Sequence, residues 1–482
     1  MKTRPILIAA LSLFLAGGAT WWWQRTGSVQ AIVSDARPPP PDLTAESQVL
    51  RELIGSADAK ARSRLTAAKG LAELSRLYYA NGFLAEAMSC YDGLEQLNPG
   101  EPRWPHLHAT ILAGYGEIES AEKLWQRVLQ LAPDYVAARL RLGDCFLKTN
   151  KPDKAAAEYA EVLRRKPGDS YAMLGLARID VEAARWEKAR ERLETVVQQT
   201  NFTLGYDLIV SVYEQMGQPE RAAAIRGAAK ASGAFRDPPD PWLDELLDAC
   251  YEPYRLALSA GVSARIGDPA AAIRLLDRAI ALKPDDVTNH FQLATVYLAQ
   301  GDVGAARDKF QQCTALSPEF ADAWVQLSAL QVQLGENAAA ESTLARGLRA
   351  CPNSAGLHLT RARNLRKAGL PGEAITEFQN SIRLRPNEPD AYIELGNTYI
   401  ALGNETEGIQ QMRAALETEP GHPIALSVLA YHAITTGNET EARHALTGIS
   451  HQPRIDHELS AQLIEAYKQA FGRDWIPDKP NE

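Results

Sequence analysis

The run Gly403-Asn404-Glu405-Thr406-Glu407 returns as Gly437-Asn438-Glu439-Thr440-Glu441, 34 residues further on. The same interval governs most of the chain. Prolines stand at Pro99, Pro133 and Pro167, and again at Pro284, Pro318, Pro352, Pro386 and Pro420, each group stepping by 34. Small residues keep the beat between them: Ala87, Ala121, Ala155 and Ala189, then Ala222 one residue early, then Ala272, Ala306, Ala340, Ala374 and Ala442, with Gly408 in the one vacancy. A fixed period of this length marks a stacked-repeat architecture, because a single unit cannot bury its own apolar face and must lay it against the next. Within a unit, proline ends a helix, since it cannot donate the next hydrogen bond. A small residue at a fixed place lets two helices cross closely.

The units also share residue types. The one from Asp322 reads Trp324, Leu327, Ser328, Ala340, Leu344, Pro352; the one from Asp390 reads Tyr392, Leu395, Gly396, Tyr399, Gly403, Met412, Pro420; the one from Ala137 reads Leu142, Gly143, Phe146, Ala155, Tyr159, Pro167. This pattern resembles the tetratricopeptide repeat, a helix-turn-helix unit of 34 residues. The resemblance implies an all-α solenoid of about eleven repeats in two segments, with large residues such as Phe291, Tyr297 and Phe310 filling the space beside each crossing. It also implies a concave face, lined by the first helix of each repeat, that takes protein or peptide segments.

The phase places an N-terminal array over 67–232 and a C-terminal array over 253–455. A helix over 456–471 has Gln462, Glu465 and Lys468 on one face, as a terminal cap needs for solubility, and a tail follows over 472–482. From Pro167 to Pro284 the step is 117, three periods and fifteen residues more. The surplus falls in a Pro/Trp joint at 233–252, where three prolines make a rigid turn. Trp242, Leu243, Leu246 and Leu247 then form an apolar helical stripe among acidic side chains. Packing between the two arrays and docking of a partner are both open readings of it, with Trp242 as the candidate contact.

At the N-terminus, Lys2 and Arg4 precede an apolar stretch from Ile6 to Leu15, and Trp21-Trp22-Trp23 and Arg25 close it. About 20 apolar residues span a bilayer, and tryptophan favours its interface. Residues 1–26 therefore read as a signal-anchor or transmembrane segment, with a cleaved signal peptide as the alternative. With the cations before the span, the body lies on the extracytoplasmic (periplasmic) side of a cell envelope, tethered to the inner membrane or exported. Residues 27–66 read as a linker, stiffened by Pro38-Pro39-Pro40-Pro41, and a lead-in helix.

Chemistry is harder to find. The 482 residues carry 51 Lys and Arg against 60 Asp and Glu, a net charge of −9, which argues against a nucleic-acid binder. No phosphate loop, zinc helix, nucleophile elbow or C-x-x-C pair occurs, so the reading is no enzyme and no cofactor. Cys145 and Cys313 fall on core faces and act as small hydrophobes. His106 and His108 flank Leu107, and His108 falls on a packing position. Asn404 and Asn438 sit where asparagine caps a helix.

Groove positions carry neither the family's carboxylate clamp nor its asparagine ladder; the ladder positions read Gln292, Gln326, Thr360 and Glu394. What remains is Arg363, Arg366 and Lys367, with Asn397 in the next repeat, a set suited to an acidic partner segment. The function these features indicate is a non-enzymatic scaffold or adaptor at the cell envelope, a component of assembly or secretion machinery, that binds protein partners. The alternatives are a positioning subunit of an envelope enzyme complex, or a polysaccharide-handling protein using Tyr171, Phe291 and Tyr431. The oligomeric state is unknown from sequence.

Overall fold

The structure, a computed structural model, describes residues 26–200, 202–229, 238–265, 267–450 and 457–476. Among the described residues every regular element is helical. The chain divides into two compact units, Met1–Ile266 with Ala281–Lys283, and Gly267–Ile280 with Pro284–Glu482. The division falls inside the repeat expected at the start of the C-terminal array, so the 238–252 segment belongs to the first unit.

In the first unit, helical residues 26–36 precede α1 (Gln48–Arg62). Five helix pairs follow: α2 (Ala67–Asn81) and α3 (Leu84–Leu97), α4 (Arg103–Gly114) and α5 (Ile118–Leu131), α6 (Val136–Lys148) and α7 (Pro152–Arg165), α8 (Ser170–Glu182) and α9 (Trp186–Gln199), and α10 (Thr203–Gln215) and α11 (Pro219–Ala229). Beyond them lie α12 (Pro241–Asp244), a 3-10 turn (Glu245–Ala249) and α13 (Pro253–Arg265).

The second unit holds α14 (Pro269–Leu282) except its last two residues, and five pairs: α15 (Val287–Ala299) and α16 (Val303–Leu316), α17 (Ala321–Gln333) and α18 (Asn337–Ala350), α19 (Ala355–Lys367) and α20 (Pro371–Leu384), α21 (Pro389–Ala401) and α22 (Glu405–Thr418), and α23 (Pro423–Thr435) and α24 (Glu439–Ser450). It closes on α25 (His457–Phe471).

The proline beat does more than stop helices. Each proline leaves a carbonyl in need of a donor, and at five of them the donor comes six residues later from the next first helix. His290 Nε2 meets Pro284 O at 2.8 Å, Trp324 Nε1 meets Pro318 O at 2.8 Å, His358 Nε2 meets Pro352 O at 3.3 Å and Tyr392 OH meets Pro386 O at 3.1 Å. The four donors are themselves 34 apart, so one position of the repeat takes a large side chain that can donate. In the first unit Arg139 does the same to Pro133 O at 2.9 Å.

Between the helices of a pair the chain turns through a left-handed residue, which closes a 6→1 backbone bond. Asp302 N to Tyr297 O, Glu336 N to Gln331 O, Leu370 N to Leu365 O and Asn404 N to Tyr399 O all lie at 2.8–3.0 Å. Glycine supplies the left-handed residue at Gly301, Gly335, Gly369, Gly403 and Gly437, with φ of 73–82°. At Asn150 (φ 54°) and Ala184 (φ 53°) a residue with a Cβ stands there instead.

The crossing residues explain why Gly408 breaks the alanine series. Its partner across the α21–α22 crossing is Gly396, not a larger residue. A Cβ on Gly408 would lie 2.5 Å from Ile400 Cγ1 and 2.9 Å from Gly396 O. Elsewhere alanine fits: Ala306, Ala340 and Ala374 are all buried.

Several local expectations need revision. The N-terminal anchor or signal segment lies outside the described residues apart from Thr26, and among the described residues no helix is long and apolar enough to cross a membrane. Residues 27–42 are not an extended spacer throughout. Residues 26–36 are helical, Val33 is fully buried, Gln30 donates to Arg62 O and Arg37 pairs with Asp58 of α1, so apolar burial and an ion pair tie the segment down. The apolar stripe of the joint is split between α12 and the 3-10 turn, with Leu246 buried and Trp242 half-buried. Asn438 caps α24 by accepting from Glu441 N at 3.3 Å, whereas Asn404 makes no side-chain cap. The expected terminal cap is α25, whose Leu463 and Tyr467 bury against α23 and α24 while Tyr467 OH donates to Glu439 at 2.6 Å.

Two substitutions test this account. Ala184→Gly removes a side chain from a left-handed position that costs L-residues roughly 1–2 kcal/mol, against an unfolded-state loss of about 0.5–1 kcal/mol, so a net gain of up to about 1 kcal/mol is expected. Gly408→Ala places at this crossing the residue found at the others, and overpacking is expected to cost about 1–3 kcal/mol. Urea unfolding midpoints check both, and a stabilised Gly408→Ala protein would refute the close-approach argument.

Candidate peptide-binding grooves

In the first unit, the first helices α2, α4 and α6 carry Lys69, Arg76, Arg103, His106 and Arg141 on their groove positions. The segment from Pro238 to Tyr251 lies across these helices, α12 against α4 and the 3-10 turn against α2. Its anchor is Asp240, which is 3% exposed. His106 Nε2 lies 2.7 Å from Asp240 Oδ2, Tyr135 OH donates to Oδ1 at 2.5 Å, and Arg141 Nε lies 3.8 Å from Oδ2.

The histidine's tautomer follows from its other neighbour. Trp125 Nε1 donates to His106 Nδ1 at 3.2 Å, and an indole N–H can only donate. Nδ1 therefore presents its lone pair and Nε2 carries the proton that goes to Asp240. Burial pushes the Asp240 carboxyl up, but the bonds from His106 and Tyr135 and the nearby Arg141 outweigh it and hold the group below its ordinary value. For the Tyr135 hydroxyl, burial first and then the bond to Asp240 drive the pKa far above that of a free tyrosine.

Trp242 follows immediately. Its ring stacks on Tyr135 at 3.6 Å and 13°, and meets His106 edge-on at 5.3 Å, while its backbone N–H donates to Tyr135 OH at 3.2 Å. Further along, the helices grip the segment's backbone. Arg76 donates to Glu245 O at 3.1 Å, Asn81 Nδ2 donates to Ala249 O at 2.9 Å, and Tyr251 N–H donates to Asn81 Oδ1 at 2.6 Å. Arg103 pairs with the Glu245 carboxylate at 3.1 Å. The contacts are those of a peptide in a groove: a deep carboxylate, a stacked aromatic and paired main-chain groups.

The cationic set of the second unit is arranged differently. Arg363 Nε lies 3.2 Å from Glu394 Oε1 and Arg366 Nη2 lies 2.5 Å from Glu394 Oε2, with Asp390 3.8 Å from Arg363. Two of the three cations are thus matched by α21, the next first helix. Lys367 is exposed and lines a cavity of about 350 Å³ with Val332, Asn337, Glu341, Asn364 and Glu373. Asn397 is half-buried one turn beyond Glu394. Along the same first helices Phe291, Val325 and Leu359 form a half-buried apolar row.

Trp242 lies in the first unit, and Arg363, Arg366, Lys367 and Asn397 in the second. Sequence reasoning missed His106, Tyr135, Asn81 and Asp240, whose partners lie more than a hundred residues away. For Glu394 a signal existed, because it and Arg363 occupy neighbouring registers of consecutive first helices. His108, read as packed, has its side chain mostly buried, stacked on Tyr91 and 3.0 Å from Glu95, and its neighbour His106 is fully buried.

Two tetratricopeptide-repeat models match the chain, one over residues 112–172, 150–209, 266–308 and 297–363, the other over 359–423 and 393–447, together more than half its length. The chain belongs to the tetratricopeptide-repeat family. DnaJ homolog subfamily C member 3 of Homo sapiens is 25% identical over 231 residues, which are 48% of this chain and 39% of that protein. Cellulose synthase 1 operon protein C of Komagataeibacter xylinus is 28% identical over 138 residues, 28% of this chain and 10% of that protein. The chain thus spans well under half the length of either relative.

Among solved structures, YrrB, described as a tetratricopeptide-repeat protein with an unusual peptide-binding site, shares 21% identity at a TM-score of 0.30, covering 36% of this chain and 91% of its own. PilF of Pseudomonas aeruginosa shares 14% at a TM-score of 0.38, covering 44% and 97%.

The Asp240 cluster makes a prediction with a definite sign. A carboxyl whose folded pKa is depressed contributes stability above its unfolded pKa, about 4, and loses that contribution as pH falls through the folded value. Asp240→Ala leaves the His106 and Tyr135 donors buried without their acceptor, at about 1–3 kcal/mol. The stability gap between wild type and variant is therefore expected to be full at pH 7 and to narrow below about pH 4. Urea unfolding followed by tryptophan fluorescence at several pH values measures it; a gap that widens on acidification contradicts the assignment.

Proposed function

We propose that this tetratricopeptide-repeat protein is a non-catalytic scaffold that binds protein segments at the cell envelope, tethered through its N-terminal apolar stretch. The observation that carries the reading is the seat of residues 238–251 on α2, α4 and α6, where the repeat surface already holds a polypeptide by its backbone, a carboxylate and an aromatic ring. The envelope location rests on Lys2, Arg4, the Ile6–Leu15 run and Trp21–Trp23.

In the second unit, the partner-contacting surface of this reading is the apolar row Phe291, Val325 and Leu359, with Lys367 and Asn397 beside it. Arg363 and Arg366 contribute by fixing the groove wall through Glu394 rather than by projecting free charge. Of the three aromatics that a polysaccharide would use, Tyr171 is engaged with Phe202. Tyr431 alone of the three is largely exposed.

The test is affinity capture from crosslinked, detergent-solubilised membranes, comparing wild type with Lys367→Glu/Asn397→Ala and with Leu359→Glu. A protein retained by wild type and reduced severalfold by both variants is expected. Failure of the wild type to retain any protein reproducibly would refute the scaffold reading, and equal retention by all three would move the contact off this surface.

A further inference from the structure

The first unit's groove offers four cations, Lys69, Arg76, Arg103 and Arg141, and the segment lying in it brings Asp240, Asp244, Glu245 and Asp248. Three of these pairings are direct: Arg141 with Asp240, Arg103 with Glu245, and Arg76 with Asp248 at 3.9 Å. The fit is uneven along its length. At the Asp240 end the occupant is buried and its ring stacks at 3.6 Å. At the 3-10 turn it leaves a cavity of about 480 Å³, walled by Lys69, Arg76, Trp104, Trp242 and Leu246. A space of that size between two half-buried tryptophans would take a side chain much larger than the Leu246 that borders it. Complementarity is thus high for Asp-Pro-Trp at 240–242 and poor for the residues after it.

We propose that this groove is a recognition site for an acidic protein segment that opens with an aspartate followed by proline and an aromatic residue, and that residues 238–251 are an internal stand-in that such a partner displaces. The proposal rests on the reading that these repeat surfaces hold protein segments. A partner keeps the Asp240 and Trp242 contacts, places its following carboxylates on Arg103 and Arg76, and fills the cavity with a bulky apolar residue where this chain has Leu246. The occupant in cis sets the threshold. A tethered segment acts at an effective concentration on the order of millimolar, so a free copy at micromolar concentration does not compete unless its own contacts are better or the cis anchor is broken.

That difference gives the test. A fluorescent peptide with the sequence of residues 238–252 is titrated into the full chain and into Asp240→Ala, which breaks the cis anchor and leaves every groove residue in place. Trp242→Gly serves as a second such variant, and circular dichroism with urea unfolding selects whichever is folded. Anisotropy is expected to show at least tenfold tighter binding to the variant than to the wild type. The same peptide carrying Asp240→Ala is expected to bind the variant at least tenfold more weakly, and a peptide with Leu246→Trp to compete severalfold better than the parent.

The proposal is overturned if a folded variant binds no peptide, if wild type and variant bind it equally, or if the aspartate-free peptide binds as well as the parent. Those outcomes leave the capture experiment on the second unit unaffected, so the two readings fail separately.

Discussion

A pair of antiparallel helices joined by a tight turn has one face it cannot hide, and everything in this protein is arranged around that fact. The core clusters run from one pair into the next: Trp125 of α5 buries in one cluster with Tyr159 and Val162 of α7, as Met412 of α22 does with Leu429 of α23 in the second unit. Stacking at a fixed step requires each crossing to be equally close and each turn to be equally short. Small residues at the crossings and left-handed turns serve those two needs, and side-chain donors to the carbonyls of Pro133, Pro284, Pro318, Pro352 and Pro386 complete the joint there. Where one element departs, its partner compensates. Gly408 replaces alanine because Ile400 reaches into the crossing, and Gly396 faces it.

A stack built this way also creates a liability, since the first helices turn a row of side chains toward whatever chain is nearby. The first unit resolves this internally. A carboxylate taken out of water is costly unless its hydrogen bonds are restored. Asp240 is accepted because His106, Tyr135 and Arg141 converge on it, and Trp125 in turn fixes the histidine tautomer. The relay runs from a second helix, through a first helix, to a segment outside the repeats. It links the core of the stack to the occupant of its groove, so the occupant's seat is as preorganised as the core itself.

How much of this could be read in the sequence depends on the range of the signal. The helix pairs and the buried Cys145 and Cys313 follow from periodicity, which is local and repeated, so chance matches cancel. Helical residues 26–36 were hidden by the neighbouring prolines, whose stiffness suggested a spacer although Val33 was available for burial. The Asp240–His106 contact spans 134 residues and belongs to no period, so nothing in the pattern joins them. Trp242 stands out as part of an apolar stripe in the surplus outside the period, but what it touches is not legible there. The Arg363–Glu394 pair lies between these cases: the repeat register places both residues on adjacent first helices, and only the assumption that groove cations point at a ligand concealed the match.

The two units thus handle groove charge by the same physical means. In the first, Arg103 and Arg76 meet carboxylates of a segment that crosses them; in the second, Arg363 and Arg366 meet Glu394 and Asp390 of the next repeat. A cation already paired in a partly exposed site contributes little net attraction to an incoming anion, because binding must first break the existing pair. Affinity on either surface therefore has to come from what pairing does not satisfy: the half-buried row Phe291, Val325 and Leu359, and the space between Trp104 and Trp242. Charge then acts as a filter. It admits a segment whose carboxylates replace the resident ones in register, and it penalises one whose carboxylates do not, since the displaced arginines would lose their partners without gaining new ones.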